Sequence, residues 1–554
     1  MLKKIWSPCL LLLVAQTGWA QTLPSAGGQL QQVPTVPSTA SPLAPVTVKP
    51  LPVMPETPAG ATVFQVERLQ LRGSSVYTDA VLWQVAGFEP GHAQSLQTLQ
   101  AMAQRISQHY RQNGYLVARA YLPAQEIRDG VVTMAVLEGQ YGQVTLNNSS
   151  RLDSQVPLDV LAGLNEGDVI ALAPLEERLL LLSDVPGVQV RSTLVPGATL
   201  GLSDLVVHVK PEDRISGSVD ADNAGNRYTG ENRVGATVNW SNPGGRGDLA
   251  SLRLLTSGTG LRYGRVSYQT PWGRGRAGMA YSDLAYRLGH EFESLQAHGH
   301  ARIATLFGSY PLLRSRQSNL HLGWTLEAKR FQDRLDAEPS VTDKRAQVAV
   351  LSLYGDRRDR WGGGGLNTYS LAWSAGAIDI RTPAARLRDA ETARSDGHYN
   401  KLAFAVSRVQ AVREGLTVYA ALSGQMASKN LDISEKMELG GMYGVRAYPE
   451  GEAYADEGVL LTLEARQQVP LPAGATGQVH LAAFIDAGTV KPNHKPWLGA
   501  EPRRHLSGAG LGVYWTRAQD FSVKAFYARK LGSEEALSAP DKGGRVWVQA
   551  VKYF

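Results

Sequence analysis

Hydrophobic and polar side chains alternate along most of the chain between residues 214 and 554. Clear examples are residues 234–240, 320–326, 459–465 and 521–527, in which alternate residues are apolar. A period of two residues is typical of β-strands that present one face to apolar surroundings and the other to polar ones. The pattern predicts about sixteen strands of roughly 9–11 residues, joined by turns and loops.

Residues 63–211 show a different pattern. Apolar residues spaced three or four positions apart predict an amphipathic helix over residues 96–110. The other elements predicted nearby are a strand at 64–71, a short helix at 78–85, and strands at 115–122 and 131–137. The same order of strand, helix, helix, strand and strand recurs from residue 144 onwards, which predicts two small α+β domains, at residues 63–139 and 143–211.

The first 60 residues contain no such pattern. Lys3 and Lys4, an apolar run, and small residues at Gly18 and Ala20 predict a secretory signal peptide over residues 1–20. The one cysteine, Cys9, lies within it, so the exported chain is expected to fold without disulfides. Residues 21–60 contain nine prolines and are predicted to form an extended linker that does not pack.

Composition excludes several classes of protein. The net charge of +6 is modest for 554 residues and does not favour a nucleic-acid partner. The histidines are scattered, and no metal-binding, phosphate-binding or hydrolase motif occurs, so we expect no enzyme, no metal and no cofactor. Export, the quantity of strand and the need to close exposed strand edges favour a transmembrane β-barrel of sixteen antiparallel strands at residues 214–554.

The run GYLVARAYLPAQEIRDGVVTMAVLEG, residues 114–139, resembles the closing half of a POTRA domain in the two-partner secretion outer-membrane transporters (TpsB type) of the ShlB/FhaC/HecB family. The order of signal, linker, two α+β modules and C-terminal barrel matches that family as well. The resemblance implies two POTRA domains ahead of the barrel, and Phe554 is similar to the C-terminal aromatic residue of outer-membrane barrels. Lys552 departs from the apolar residue usual near that end.

A glycine-rich stretch at residues 440–452 follows one predicted strand and precedes another. Loops of this length are usually functional or disordered. In the family, the loop after the eleventh strand carries a VRGY-type motif whose arginine pairs with the aspartate of an F-x-D-x-G motif on the inner barrel wall. The residues that resemble these two motifs are Gly444, Val445, Arg446, Ala447 and Tyr448 in the loop, and Phe484, Asp486 and Gly488 in the barrel.

The alternation supports this pairing independently. Leu481, Ala483 and Ile485 form an apolar face, so Asp486 is expected to face the lumen, where a partner for Arg446 has to lie. Ala447 stands where the family usually has glycine, which leaves the local backbone conformation open because glycine adopts positive φ more readily than alanine.

The resemblance implies an outer-membrane transporter that secretes a large, unfolded exoprotein of the haemolysin, adhesin or contact-dependent toxin type. Its POTRA domains would lie in the periplasm and capture this passenger by strand addition at an edge that the sequence does not identify. The other expected partners are outer-membrane lipid, periplasmic chaperones and the barrel-assembly machinery, and a monomer is expected. An N-terminal helix inside the barrel is a family feature for which the prolines leave only residues 26–33.

Three alternatives remain at this point. A barrel-assembly insertase of the same superfamily usually carries more POTRA modules than the two that fit here. A passive porin would not need residues 63–211. An exported enzyme on a β-sandwich would need a catalytic site, for which the sequence offers no motif.

Overall fold

The structure is a computed structural model that describes residues 23–36, 46–48, 63–472, 474–497 and 502–554. The predicted signal peptide and much of the predicted linker lie outside the described residues. Within the linker, a short helix, α1 (Ala26–Gln31), is buried over its first four residues, and a three-residue strand, β1 (Val46–Val48), pairs with another strand. The prediction of an extended segment that does not pack is therefore wrong for these two elements.

The first α+β unit has two small sheets beside two helices. Strand β2 pairs with β4, while β3 pairs in parallel with β6, which also pairs with β5. The bounds are β2 Val63–Val66, β3 Arg68–Arg72, α2 Asp79–Ala86, β4 His92–Ser95, α3 Leu96–Gln112, β5 Arg119–Tyr121 and β6 Val131–Leu137.

Two predicted strands of this unit differ from the observed ones. The strand predicted at residues 64–71 is split in two, because the chain leaves its pairing with β4 at Glu67 and then pairs with β6. The strand predicted at residues 115–122 pairs only over β5. The amphipathic helix is present as α3, and Ser95 and Thr98 begin it with a reciprocal capping box.

The second α+β unit has one four-stranded sheet, in the order β1, β8, β9, β7. Its bounds are β7 Gln140–Asn148, α4 Gln155–Leu161, α5 Leu172–Ser183, β8 Val188–Pro196 and β9 Leu202–Pro211. Leu175, Leu179 and Leu182 of α5 pack against Leu205 and Val207 of β9 in one apolar core. Val46–Val48 lies parallel to β8 and occupies that edge of the sheet.

Sixteen antiparallel strands close into a barrel, and the first, β10, pairs with the last, β25. This confirms the predicted fold class. The bounds are β10 Ile215–Asp222, β11 Arg233–Ser241, β12 Leu249–Thr256, β13 Leu261–Trp272, β14 Gly275–Arg287, β15 Ala297–Arg314, β16 Ser318–Leu335, β17 Ser340–Asp359, β18 Gly365–Ile380, β19 Gly397–Arg413, β20 Leu416–Ala427, β21 Glu457–Val469, β22 Gln478–Lys491, β23 Arg504–Arg517, β24 Phe521–Lys530 and β25 Gly544–Tyr553.

Short turns lie at the barrel rim that joins the α+β units, and long connections lie at the opposite rim. Residues 242–248 form one such turn. β13 stays paired with β14 up to Trp272, so the next turn at this rim comprises only residues 273 and 274. A further helix, α6 (Pro383–Glu391), belongs to a long connection at the far rim. No helix in the described ranges is long and apolar enough to cross a membrane.

Ion pairs join the second α+β unit to the near rim of the barrel. Asp184, just after α5, accepts two hydrogen bonds from the Arg314 guanidinium, both at 2.8 Å. Glu176 pairs with Arg316 at 2.8 Å.

At the C-terminus, the Phe554 N–H donates to the Gly217 carbonyl at 3.1 Å, which extends the closing strand pair by one residue.

Candidate functional site

The connection between β20 and β21, residues 428–456, lies inside the barrel. It contains a 3-10 turn at Ile433–Glu435 and bridges of its own backbone, one of them between Met437 and Ala455. Val445, Ala447 and Tyr448 of this loop are fully buried, and they pack with side chains of β22 to β25 in one cluster. We call residues 428–456 the lumenal loop.

Arg446 of the lumenal loop contacts two carboxylates of the barrel wall. Its Nε and Nη2 atoms donate to the two oxygens of Asp486, each at 2.8 Å, and Nη1 donates to Glu464 Oε2 at 2.8 Å. Its guanidinium carbon lies 3.3 Å from the centre of the Phe484 ring and 5.0 Å from that of Phe526. Arg446 is 5% exposed, so water screens this arrangement very little.

The strand period places both carboxylates in the lumen. Asp486 alternates on β22 with the exposed Ile485, and Glu464 alternates on β21 with the exposed Leu463. Each carboxylate has further donors from the wall. The Thr462 hydroxyl donates to Asp486 at 3.1 Å, and the Tyr514 hydroxyl donates to Glu464 at 2.6 Å.

The remaining motif residues surround this contact. A side chain at Gly444 would meet the Leu439 carbonyl, and one at Gly488 would meet the Leu439 side chain, each within about 2.3 Å. The Tyr448 hydroxyl donates to the Glu534 carbonyl at 3.1 Å. Ala447 has no positive φ, and its methyl group lies over Gly508, so alanine fits here without strain.

Sequence reasoning missed several residues of the site. Glu464 lies on the polar face of the alternating stretch at residues 459–465, and that alternation is the one sequence signal that could have placed it in the lumen. Phe526 and Trp547 carry no motif, and Trp547 donates its indole N–H to the Arg446 carbonyl at 2.7 Å. Only the closing of the barrel brings β24 and β25 next to β22 and the loop.

Three further acidic residues hold the lumenal loop to the wall. Glu435 pairs with Lys329 at 2.8 Å and with Lys401 at 2.9 Å. Asp432 pairs with Lys344 at 2.7 Å. Glu452 accepts a hydrogen bond from Arg504 and others from the backbone of residues 537 and 538. The loop is therefore fixed at several points along its length.

Two other carboxyl groups of the loop, the buried Glu450 and the half-buried Glu438, lie close to each other. Burial raises the pKa of Glu438 well above its ordinary value, and the nearby Glu450 carboxylate adds to the rise. Burial also raises the pKa of Glu450 to about 7, against the opposing effect of Arg233. Both carboxyl groups therefore hold their protons to a higher pH than ordinary glutamates do.

Helix α1 lies inside the barrel beside the lumenal loop. Its Ala26 N–H donates to Asp333 at 2.8 Å, and Arg233 donates to the Gln32 carbonyl at 2.8 Å. Tyr454 of the loop joins the two elements, since its hydroxyl donates to the Gly28 carbonyl at 3.2 Å and accepts from Gln32 at 2.5 Å. Residues 26–31 thus suffice for a helix in the lumen, the point that the sequence left open.

A closed barrel whose lumen contains a folded-in loop and a helix, preceded by two α+β domains, defines an outer-membrane β-barrel transporter. The model of the haemolysin secretion/activation protein family ShlB/FhaC/HecB matches residues 201–515, and the model of the ShlB-type POTRA domain matches residues 64–139. The chain belongs to the ShlB/FhaC/HecB family. It is an outer-membrane transporter of two-partner secretion with periplasmic POTRA domains, as the sequence resemblance predicted.

Individual relatives agree with this assignment. The heme/hemopexin transporter protein HuxB of Haemophilus influenzae is 29% identical over 499 residues, covering 88% of this chain and 86% of that protein. The outer membrane transporter CdiB of Dickeya dadantii is 24% identical over 414 residues, covering 72% and 71% of the two chains. The structure of CdiB from Escherichia coli has the same fold, with a TM-score of 0.70 at 20% identity over 91% of this chain and 94% of that chain.

Proposed function

We propose that this transporter secretes one large exoprotein of the haemolysin, adhesin or contact-dependent toxin type, and that the Arg446–Asp486 contact holds the lumenal loop in place for secretion. The observation that carries the proposal is the buried guanidinium held by two carboxylates of the wall. An exposed ion pair contributes about 0–1 kcal/mol, which is too little to hold a loop. Removing one partner of a buried pair costs about 3–5 kcal/mol, mostly because the other charge is left unpaired.

The lumen must open for a polypeptide to pass. Helix α1 and the lumenal loop both occupy it, and Tyr454 couples them through hydrogen bonds. In our proposal, the arrival of the passenger displaces α1, while Arg446 keeps the loop against the wall. A passive porin needs a lumen that small solutes cross freely, and a helix and a loop hydrogen-bonded to each other within the lumen disfavour that alternative. A resemblance in fold to BamA from Haemophilus ducreyi, with a TM-score of 0.52 at 14% identity, concerns the fold alone.

The edge of the second POTRA domain is the proposed site of passenger capture. Residues 46–48 already pair in parallel with Ser192–Leu194 of β8, so this edge accepts an added strand through backbone hydrogen bonds. A passenger segment that pairs there has to replace β1. The same proposal includes the boundaries of the two POTRA domains, at residues 63–139 and 143–211. It also includes a monomeric state and assembly by periplasmic chaperones and the barrel-assembly machinery.

A secretion assay tests the proposed role of Arg446. The transporter is expressed with a candidate passenger, a large exported protein encoded by a neighbouring gene, and the amount of passenger in the medium is measured. We expect Arg446→Ala, Asp486→Ala and Arg446→Lys each to reduce secretion strongly. Lysine retains the charge but does not donate two parallel hydrogen bonds to one carboxylate.

Arg253→Lys is the matched control for this assay. Arg253 is also a buried lumenal arginine paired with an aspartate, Asp220, but its hydrogen bonds, to Asp220 and to Thr237, join wall strands to one another. Secretion by this variant should stay close to that of the wild type. Normal secretion by Arg446→Ala, Asp486→Ala and Arg446→Lys, with the barrel assembled, would contradict the proposed role of Arg446.

A further inference from the structure

Three neighbouring strands of the barrel carry an arginine at the same level of the outer surface. Arg302 of β15, Arg330 of β16 and Arg345 of β17 are all exposed. Their sequence neighbours Ala301, Lys329 and Ala346 point into the lumen and are buried. Because successive side chains of a strand point to opposite faces, the three arginines project away from the lumen.

The strand register places the three arginines directly side by side. Arg302 lies opposite Arg330, and Arg330 lies opposite Arg345. Directly opposed residues of antiparallel strands have Cα atoms about 4.5–5.5 Å apart, and like charges at such positions are destabilising. A row of three cations across adjacent strands therefore needs a compensating anion.

A carboxylate lies beside each end of the row, but only one of the two pairs with an arginine of the row in the described part of the chain. Asp283, opposite Arg302, accepts from its Nε atom at 3.1 Å. Asp379, opposite Arg345, pairs instead with Arg381 at 2.9 Å. Within the described part of the chain, Arg330 and Arg345 have no hydrogen bond or ion pair from their side chains.

The row lies where the apolar outer surface ends. On β16, the outward positions from the periplasmic rim are Leu320, Leu322, Trp324, Leu326 and Ala328, and Arg330 is the first charged one. Ten residues of strand span about 33 Å, and a tilt of about 40° reduces this to roughly 25 Å along the barrel axis, the height of the lipid-facing band. The arginines thus reach the headgroup level of the outer leaflet.

We propose that Arg302, Arg330 and Arg345 bind the phosphate groups of an anionic lipid headgroup in the outer leaflet. Guanidinium groups bind phosphate through two parallel hydrogen bonds, and a row of three matches a headgroup with more than one phosphate. The apolar side chains below the row, such as Leu306 and Leu326, which are about half exposed, contact the acyl chains of the same lipid. Inorganic phosphate has no acyl chains, so this apolar contact favours a lipid over free phosphate as the ligand.

Native mass spectrometry of the full-length protein in detergent tests this site. The protein is titrated with diphosphoryl lipid A, with the same lipid after removal of its phosphates, and with inorganic phosphate. We expect the diphosphoryl lipid to bind most tightly. Arg330→Gln/Arg345→Gln should raise its Kd about 30-fold, since each arginine near a charged membrane surface contributes about a fivefold factor.

The control is Arg357→Gln/Arg360→Gln, which removes two exposed arginines at the periplasmic end of the barrel. This variant should keep the wild-type Kd. Heat-modifiable migration on gels verifies that each barrel is folded, and Arg330→Lys/Arg345→Lys, which keeps the charge, should give an intermediate Kd. An unchanged Kd in the glutamine variant, equal binding of the dephosphorylated lipid, or displacement by millimolar inorganic phosphate would overturn the proposal.

Discussion

The carboxylate of Glu138 lies at the end of β6 and is almost completely buried. It accepts hydrogen bonds from the Ser75 N–H at 2.7 Å, the Val76 N–H at 2.9 Å and the Tyr110 hydroxyl at 2.7 Å. Burial alone raises the pKa of Glu138, but these hydrogen bonds outweigh it, and the pKa lies below its ordinary value. The ionised side chain therefore joins the β3–α2 connection and helix α3 to the end of the sheet.

This depressed pKa predicts a pH-dependent contribution to stability. A carboxyl group whose pKa falls on folding stabilises the protein above its unfolded pKa of about 4.3, and this stabilisation is lost as the pH falls through the folded value. Glu138→Gln should therefore destabilise the first POTRA domain by about 1–3 kcal/mol at pH 7. Hydrogen exchange of the full-length protein in detergent should show faster exchange around residues 75–76.

The difference between the Glu138→Gln variant and the wild type should shrink as the pH falls below about 4. Glu126→Gln is the matched control, because Glu126 belongs to the same domain but pairs with Arg128 at an exposed site. Equal protection of the Glu138→Gln variant and the wild type at pH 7 would show that the hydrogen bonds of Glu138 contribute nothing.

Helix α1 is only six residues long and does not have a side-chain cap. Isolated helices of this length are unstable in water, so its position depends on its contacts inside the barrel. Gly27 allows the closest of these contacts, since an added Cβ would lie 2.9 Å from the Ser434 Cβ atom and 3.2 Å from its Cα atom. The small residues of α1 let it lie directly against the lumenal loop.

Gly27→Leu should displace α1 from the lumen. Overpacking of this kind costs about 1–3 kcal/mol, which shifts the equilibrium between a filled and an open lumen by roughly 5- to 150-fold. Planar-bilayer recordings should show a larger open fraction than the wild type has. Gly543→Leu, at a position where an added Cβ meets nothing within 4 Å, is the control. Identical conductance of the Gly27→Leu variant and the wild type would contradict the role of α1 as a lumenal plug.

The orientation of the periplasmic part relative to the barrel depends on few contacts. The Asp184–Arg314 pair is the best formed of them, and the Arg314 side chain is 14% exposed against 34% for Asp184. Hydrogen bonds between charged groups contribute about 1.5–3 kcal/mol, at the low end where water reaches them. This pair therefore restricts the second POTRA domain without fixing it permanently.

Asp184→Ala should widen the range of orientations of the second POTRA domain. Spin labels at Leu200→Cys, on that domain, and Trp361→Cys, on the near rim of the barrel, report their distance distribution. Cys9, the only native cysteine, lies in the predicted signal peptide, so labelling is specific. The distribution should broaden in Asp184→Ala and not in Glu126→Ala, whose ion pair lies within the first α+β unit. An unchanged distribution in Asp184→Ala would show that other contacts set the orientation.

Local periodicity was enough to predict the amphipathic helix α3, the number of barrel strands and the face of β22 that carries Asp486. These properties depend on the two-residue period of a strand or on the spacing of apolar residues along a helix, and both can be seen within a short stretch of sequence. The same period could have placed Glu464 in the lumen, but no local pattern signals its contact with Arg446.

Pairing and closure are different, because they join residues distant in the chain. The division of the first predicted strand at Glu67, the position of α1 in the lumen and the approach of Trp547 to Arg446 all depend on such contacts. The row of Arg302, Arg330 and Arg345 likewise follows from the register between strands. A shift of one residue would place its members on opposite faces, and register depends on the turns and on barrel closure, which no single stretch of sequence specifies.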